Sequence, residues 1–119
     1  EIEMWGSGKP QRDFVYAGDV AKLIPYFIEN FDDRGPINIS SGTTTEIKVL
    51  AETIAEMVGY KGEIKWDTTK PDGQMVKIFD TAKLKALGLS CDTSMRDGLQ
   101  KTIDWFAANY DGAKDGLRL

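Results

Sequence analysis

Histidine is absent from the 119-residue chain, and cysteine occurs once, at Cys91. The first absence removes the usual zinc cages and every His-based nucleophile pair; the second leaves no internal disulfide to form. No apolar run reaches the ~20 residues a membrane-spanning helix needs, and no charged-then-apolar leader opens the chain, so a cytoplasmic location with no membrane partner is expected. A basic excess is missing too. The net charge of −4 argues against nucleic acid, whose binders release counterions with clustered cations. A hydrophobic content of 41% allows one domain with a modest core.

What is present alternates between short strands and helices. "EIEMW" reads as a strand entered in mid-course on a chain that does not begin with methionine, which predicts a fragment of a longer protein. In "WGSGKPQRDF" two glycines precede a proline, but the third glycine of a G-x-G-x-x-G fingerprint is missing, and the extended-looking "RDFVY" follows where a helix should open. "AGDVAKLIPYFIENF" places Val20, Leu23, Ile24, Phe27, Ile28 and Phe31 at helical spacing, with Asp19 as N-cap and a kink at Pro25. "GPINIS" predicts a short strand. A second helix follows, with Ile47, Leu50, Ala51, Ile54, Met57 and Val58 on one face, capped by Thr43 or Thr45, the former in a capping box with Glu46, and ended by Gly59. "EIKWD" and "VKIFD" predict strands, and "TAKLKALG" a short helix. Ser94, with Asp97 three residues on, opens a last helix through Met95, Leu99, Ile103 and Phe106 to near Asn109. The polar, glycine-broken "DGAKDGLRL" predicts a flexible tail over 111–119. The fold class is α/β or α+β, and so few short strands make a poor doubly wound sheet without something to complete it.

Cations are worth locating in an acidic chain. Lys9 and Arg12 sit in the first glycine loop, and Lys70 and Lys77 flank a second, "TTKPDGQMVK"; scattered solvated charge is the plain alternative for each.

"WGSGKPQRDFVYAGDVA", "INISSGTTTEIKVLAETIAEMVGYKG", "KPDGQMVKIFDTAKLKALG" and "GLQKTIDWF", in that order, resemble the C-terminal third of an extended short-chain dehydrogenase of the NAD-dependent epimerase/dehydratase family, in its GDP-L-fucose synthase branch. The resemblance runs from about Glu3 to Asn109. It implies a C-terminal substrate-binding portion of an extended Rossmann-fold enzyme, residues 1–110 forming the nucleotide-sugar-binding domain, with the N-terminal dinucleotide-binding domain absent. The implied parent is an NADP- or NAD-dependent epimerase/reductase that converts GDP-4-keto-6-deoxymannose to GDP-L-fucose as a homodimer. The chain alone would hold no dinucleotide and catalyse nothing.

By the same resemblance Trp5, Arg12, Asp72 and Lys77 match substrate-binding positions, the indole beside the nucleotide sugar and the guanidinium on its anionic part. A planar fork of donors suits phosphate oxygens, and an indole offers a flat apolar wall. The bland alternatives are a core role for Trp5, an ion pair of Arg12 with Asp13 or Asp19, and a solvated Lys77. Met75 and Val76 replace a more basic, proline-bearing stretch, and Tyr16 stands where the branch often carries histidine. These departures favour, as an alternative, another nucleotide-sugar epimerase or dehydratase. A third possibility is a free-standing interaction domain.

The family's Tyr-x-x-x-Lys pair has one match in spacing, Tyr110 and Lys114, which the glycine-broken tail rules out as a helical pair. Cys91 matches neither the cysteine nor the histidine implied for epimerisation and reads as a small half-buried residue. Apolar surface is expected to remain exposed around "INIS" and on one face of the first helix.

Overall fold

The computed structural model describes residues 1–110, in the order β1 (Ile2–Trp5), β2 (Gln11–Arg12), α1 (Ala17–Asn30), β3 (Thr45–Glu46), α2 (Ile47–Met57), β4 (Ile64–Asp67), β5 (Val76–Lys77), α3 (Ala82–Ala86) and α4 (Met95–Asn109). The tail expected over 111–119 lies outside these residues. Among the described residues no helix is long and apolar enough to cross a membrane.

Two strand-loop-strand ribbons organise the molecule. β1 pairs with β4 in parallel, Trp5 opposite Asp67, and beyond the loops β2 pairs with β5 in parallel, Arg12 opposite Lys77. Backbone bonds close the gap between the two pairs: Gly6 N–H donates to the Asp67 carbonyl at 2.9 Å, Gln11 N–H to Met75 at 2.7 Å and Asp13 N–H to Lys77 at 3.2 Å. The ribbons therefore run side by side from Ile2 to Asp13, and residues 6–10 lie against residues 68–75. On its other edge β2 takes β3 antiparallel.

Period-two alternation decides which way the strands face. Ile2 and Met4 of β1, with Ile64 of β4, turn toward Leu50 and Ile54 of α2 and Val58 just past its end, around an apolar cavity of about 300 Å³. Glu3, Trp5, Lys65 and Asp67 take the alternate positions. A separate core holds Leu23 of α1, Leu84 of α3 and Cys91, with Val15, Phe27, Ile37, Ile39 and Leu89 packed on it. Leu84 is 1% exposed, and its burial contributes about 2–3 kcal/mol.

Four local expectations need correction. α1 is capped by Tyr16, not Asp19, because the Asp19 carboxylate finds two donors elsewhere: Thr93 N–H at 2.8 Å and the Thr93 hydroxyl at 2.7 Å. Thr43 forms no capping box and Thr45 no cap. Pairing with β2 keeps residues 45–46 extended, so α2 starts at Ile47 without a side-chain cap, and its first N–H groups donate to the Pro10 and Gly8 carbonyls at 3.0 and 2.8 Å. "VKIFD" contributes only Val76–Lys77 as strand. "INIS" has no strand partner among the described residues, although Ile37 and Ile39 pack on the core.

Three other local expectations hold. Helix α1 runs through Pro25, Gly59 follows the end of α2, and Ser94 caps α4 by accepting from Asp97 N–H at 3.1 Å. The exposed apolar face of α1 is present as well, with Ile28 79% exposed beside a half-open Ile24.

Candidate functional site

Trp5, Arg12, Asp72 and Lys77 all fall on the two ribbons, 5–12 on one and 72–77 on the other. The topology brings together residues that the sequence separates by about sixty positions. Each loop is held by the other. Ser7 donates its backbone N–H to Asp72 Oδ1 at 2.5 Å and its hydroxyl to Oδ2 at 2.7 Å, so one residue grips both oxygens of the carboxylate. Those two bonds, backbone first, hold the Asp72 carboxyl below the usual carboxylate range, and nearby Lys9 adds to the effect. Asp72 is thus the clasp of the glycine loop in this structure.

The glycines are required by that clasp. Gly8 has φ +72°, where a side chain is strained, and a Cβ there would lie 2.8 Å from both Lys48 Cβ and the Trp66 ring. Gly6, at φ +83°, would put its Cβ against the Asp72 carboxylate.

Arg12 sits in the middle of the β3-β2-β5 sheet. Its guanidinium donates to the neighbouring Gln11 carbonyl at 2.8 Å and makes no ion pair among the described residues. Both carboxylates it could have met are engaged elsewhere. Asp19 holds Thr93. Asp13 accepts from the Ser41 hydroxyl at 2.6 Å and from Gly42 N–H at 3.0 Å. Burial, the largest single influence on Asp13, pushes its pKa up, but bonds from Ser41, Ser40, Gly42 and Phe79 together outweigh it and leave the carboxyl below its usual range. In-register residues of parallel strands point to the same face about 4.8 Å apart. Arg12 and Lys77 are therefore neighbouring cations without an acidic partner among the described residues, the Lys77 ammonium lying 5.8 Å from the Phe79 ring centroid.

Trp5 ends β1 with 71% of its surface exposed, which removes the core reading of this ring. Lys70 holds its ammonium 5.6 Å from the indole centroid and 4.0 Å from Asp67. Val76 and Met75, the departures noted above, are both about half exposed next to Lys77 in the chain. Tyr16 packs under α4, where a Cβ on Gly98 would stand 3.3 Å from its Cβ, and Lys101 lies 5.1 Å over its ring. Cys91 is more deeply buried than expected. Burial first, then the charges of Asp19, Asp92 and Asp13, push its thiol up, which leaves it a poor nucleophile. Tyr110 caps the end of α4, and Lys114 lies outside the described residues.

The glycine loop of residues 6–10 does not have the form of a dinucleotide pyrophosphate cradle. A pyrophosphate cradle aims free backbone N–H groups from a glycine turn into a helix N-terminus. Here the turn leads into β2, and its Gly6, Ser7 and Lys9 N–H groups are bonded to Asp67, Asp72 and Ser7. The clasps at Asp72, Asp13 and Asp19 escaped the sequence reading because each joins residues far apart in the chain, 65 positions in the case of Ser7 and Asp72 and 74 for Thr93 and Asp19.

This arrangement defines an α/β module, and the model of the NAD dependent epimerase/dehydratase family matches its residues 1–40. Among characterised proteins it is similar to GDP-L-fucose synthases. It is 39% identical over 109 residues to GDP-L-fucose synthase 1 of Arabidopsis thaliana, covering 92% of this chain and 34% of that protein. With GDP-L-fucose synthase of Escherichia coli (strain K12) it is 36% identical over 93% of this chain and 37% of the other. A GDP-L-fucose synthetase from Naegleria fowleri, solved bound to NADP, superposes on 92% of this chain and 35% of its own with a TM-score of 0.85 and 30% identity. UDP-glucose 4-epimerase of Thermotoga maritima, solved with UDP-glucose, covers 92% of this chain and 36% of its own with a TM-score of 0.81 and 28% identity. The chain thus spans about a third of the length of the curated relatives it matches.

Proposed function

We propose that this chain is the nucleotide-sugar-binding C-terminal portion of an NADP-dependent, cytoplasmic, homodimeric epimerase/reductase of the GDP-L-fucose synthase type. Arg12 and Lys77 hold the diphosphate, Trp5 lies against the nucleoside, and Asp72 keeps the loop between them in shape. The dinucleotide and the proton-transfer residues belong to an N-terminal domain, and residues 1–119 alone bind no dinucleotide and catalyse nothing. Residues 1–110 are the binding domain in this reading.

The observation that carries it is the in-register pair Arg12 and Lys77. Like charges directly opposite on a sheet are unfavourable, and two cations without an acidic partner are matched by a dianionic ligand whose oxygens accept from both. Titration tests this. GDP should bind this chain more tightly than GMP, and guanosine most weakly, with the differences shrinking as salt rises. Equal affinity for GDP and guanosine refutes the diphosphate site. Val76 and Met75, apolar and about half exposed next to Lys77 in the chain, favour one second reading, a nucleotide sugar other than GDP-4-keto-6-deoxymannose on the same site.

A further inference from the structure

The geometry points to Lys70 as a residue that sets nucleobase preference through Trp5, an inference that rests on the diphosphate site proposed above. Trp5 and Asp67 are register partners at the ends of β1 and β4. The loop after β4 turns back at once: Lys70 N–H donates to the Asp67 carbonyl at 3.1 Å, and Thr69 donates both its N–H and its hydroxyl to Asp67 Oδ1 at 3.0 and 2.5 Å. This fixes the backbone from which Lys70 projects. Its ammonium then reaches the indole at 5.6 Å from the centroid and the Asp67 carboxylate at 4.0 Å.

An ammonium over an indole draws on the negative face of its π-system, an attraction that operates within about 6 Å of the ring centroid. Trp5 is 71% exposed while carrying that cation, and the face away from the ammonium is the open one assigned to the ligand in this proposal. The indole is therefore a platform backed by a cation. Polarisation toward the ammonium leaves the open face poorer in electrons, which favours stacking with an electron-rich base, guanine above uracil. Lys70 acts here as a positioning residue: it holds the ring and biases what stacks on it, without touching the phosphates.

The experiment titrates GDP, UDP and inorganic pyrophosphate into the chain and into its Lys70→Gln and Lys70→Arg variants, with far-UV circular dichroism to show that each is folded. The wild type should prefer GDP to UDP. Lys70→Gln should weaken GDP binding about threefold to fivefold, the effect of an exposed cation–π contact, narrow the GDP/UDP ratio and leave pyrophosphate affinity unchanged. Lys70→Arg keeps a cation over the ring and should restore the ratio. An unchanged GDP/UDP ratio in Lys70→Gln overturns the inference and leaves the diphosphate site standing. Equal losses for GDP and pyrophosphate make Lys70 a phosphate cation and overturn it too. A wild type that binds neither GDP nor pyrophosphate overturns the proposed site and this inference with it.

Discussion

Replacing Arg12 by alanine should move ligand affinity and fold stability in different directions, and the structure supplies the reason. A charge-assisted hydrogen bond from the guanidinium to a phosphate oxygen is worth about 1.5–3 kcal/mol, so Arg12→Ala should weaken GDP binding roughly tenfold or more. The unliganded fold loses little. Among the described residues the Arg12 guanidinium bonds only the adjacent Gln11 carbonyl, and it stands opposite Lys77, so its removal trades one local bond for relief of a like-charge contact, each worth about 1 kcal/mol or less. The melting temperature should change little, or rise.

Arg12→Lys should recover only part of the affinity, because a point charge replaces a two-pronged donor. Isothermal titration with GDP at low and high salt, beside thermal melts of the same samples, measures both quantities. The gap between wild type and Arg12→Ala should narrow at about 1 M salt, where the screening length falls to about 3 Å. Wild-type affinity in Arg12→Ala refutes the reasoning, and a large fall in melting temperature shows that Arg12 has a structural duty the geometry does not display.

Asp19→Ala strips the carboxylate that accepts both Thr93 bonds and should destabilise the fold by about 3 kcal/mol, measured by urea unfolding; a cost under about 1 kcal/mol counts against the clasp. Asp13, Asp19 and Asp72 all have lowered pKa values, so the stability they confer is complete above the ordinary carboxylate range and is lost as pH falls through that range toward their folded values. Melts from neutral to strongly acid pH should show this loss, and Asp19→Asn should make it shallower; an unaltered acid limb would rule Asp19 out. Gly8→Ala forces a Cβ onto Lys48 and Trp66 at a positive φ and should cost at least about 1–3 kcal/mol while abolishing GDP binding, read by melting and titration together. NADP added to this chain should give no saturable heat in calorimetry, and micromolar binding would contradict the division of labour proposed here.

The parts of the fold legible in the sequence are those encoded within a few residues. Leu50, Ile54 and Val58 mark a helix face by spacing alone, Ser94 with Asp97 marks a cap, and both are in place. What local pattern hides is competition from distant groups. Thr43 has the residue types of a capping box, yet β2 pairs with β3 and delays the helix. Asp19 looks like a cap, yet two donors at Thr93 outbid one turn of backbone. The candidate site behaves likewise: Arg12, Lys77 and Trp5 could be picked out by residue type and by resemblance, whereas the pairing of Arg12 with Lys77 depends on parallel strands 65 residues apart, for which a single sequence holds no register signal.

Residues 37–40 carry that contrast furthest. Ile37 and Ile39 alternate with Asn38 and Ser40 as a strand requires, and the two isoleucines do face the core cluster. The isoleucine pattern is thus satisfied, though Ser40 is buried as well, while the ladder is missing, because a strand is defined by a partner's N–H and carbonyl groups and none of the described strands supplies them. Ile24 and Ile28 of α1 also leave apolar surface open. An extended segment without a ladder, together with an uncovered helix face, is what a sheet with its own helices would complete. For the N-terminal domain proposed above, residues 37–40 are a candidate docking edge, and pairing along them is the contact that would turn the sequence's strand pattern into a strand.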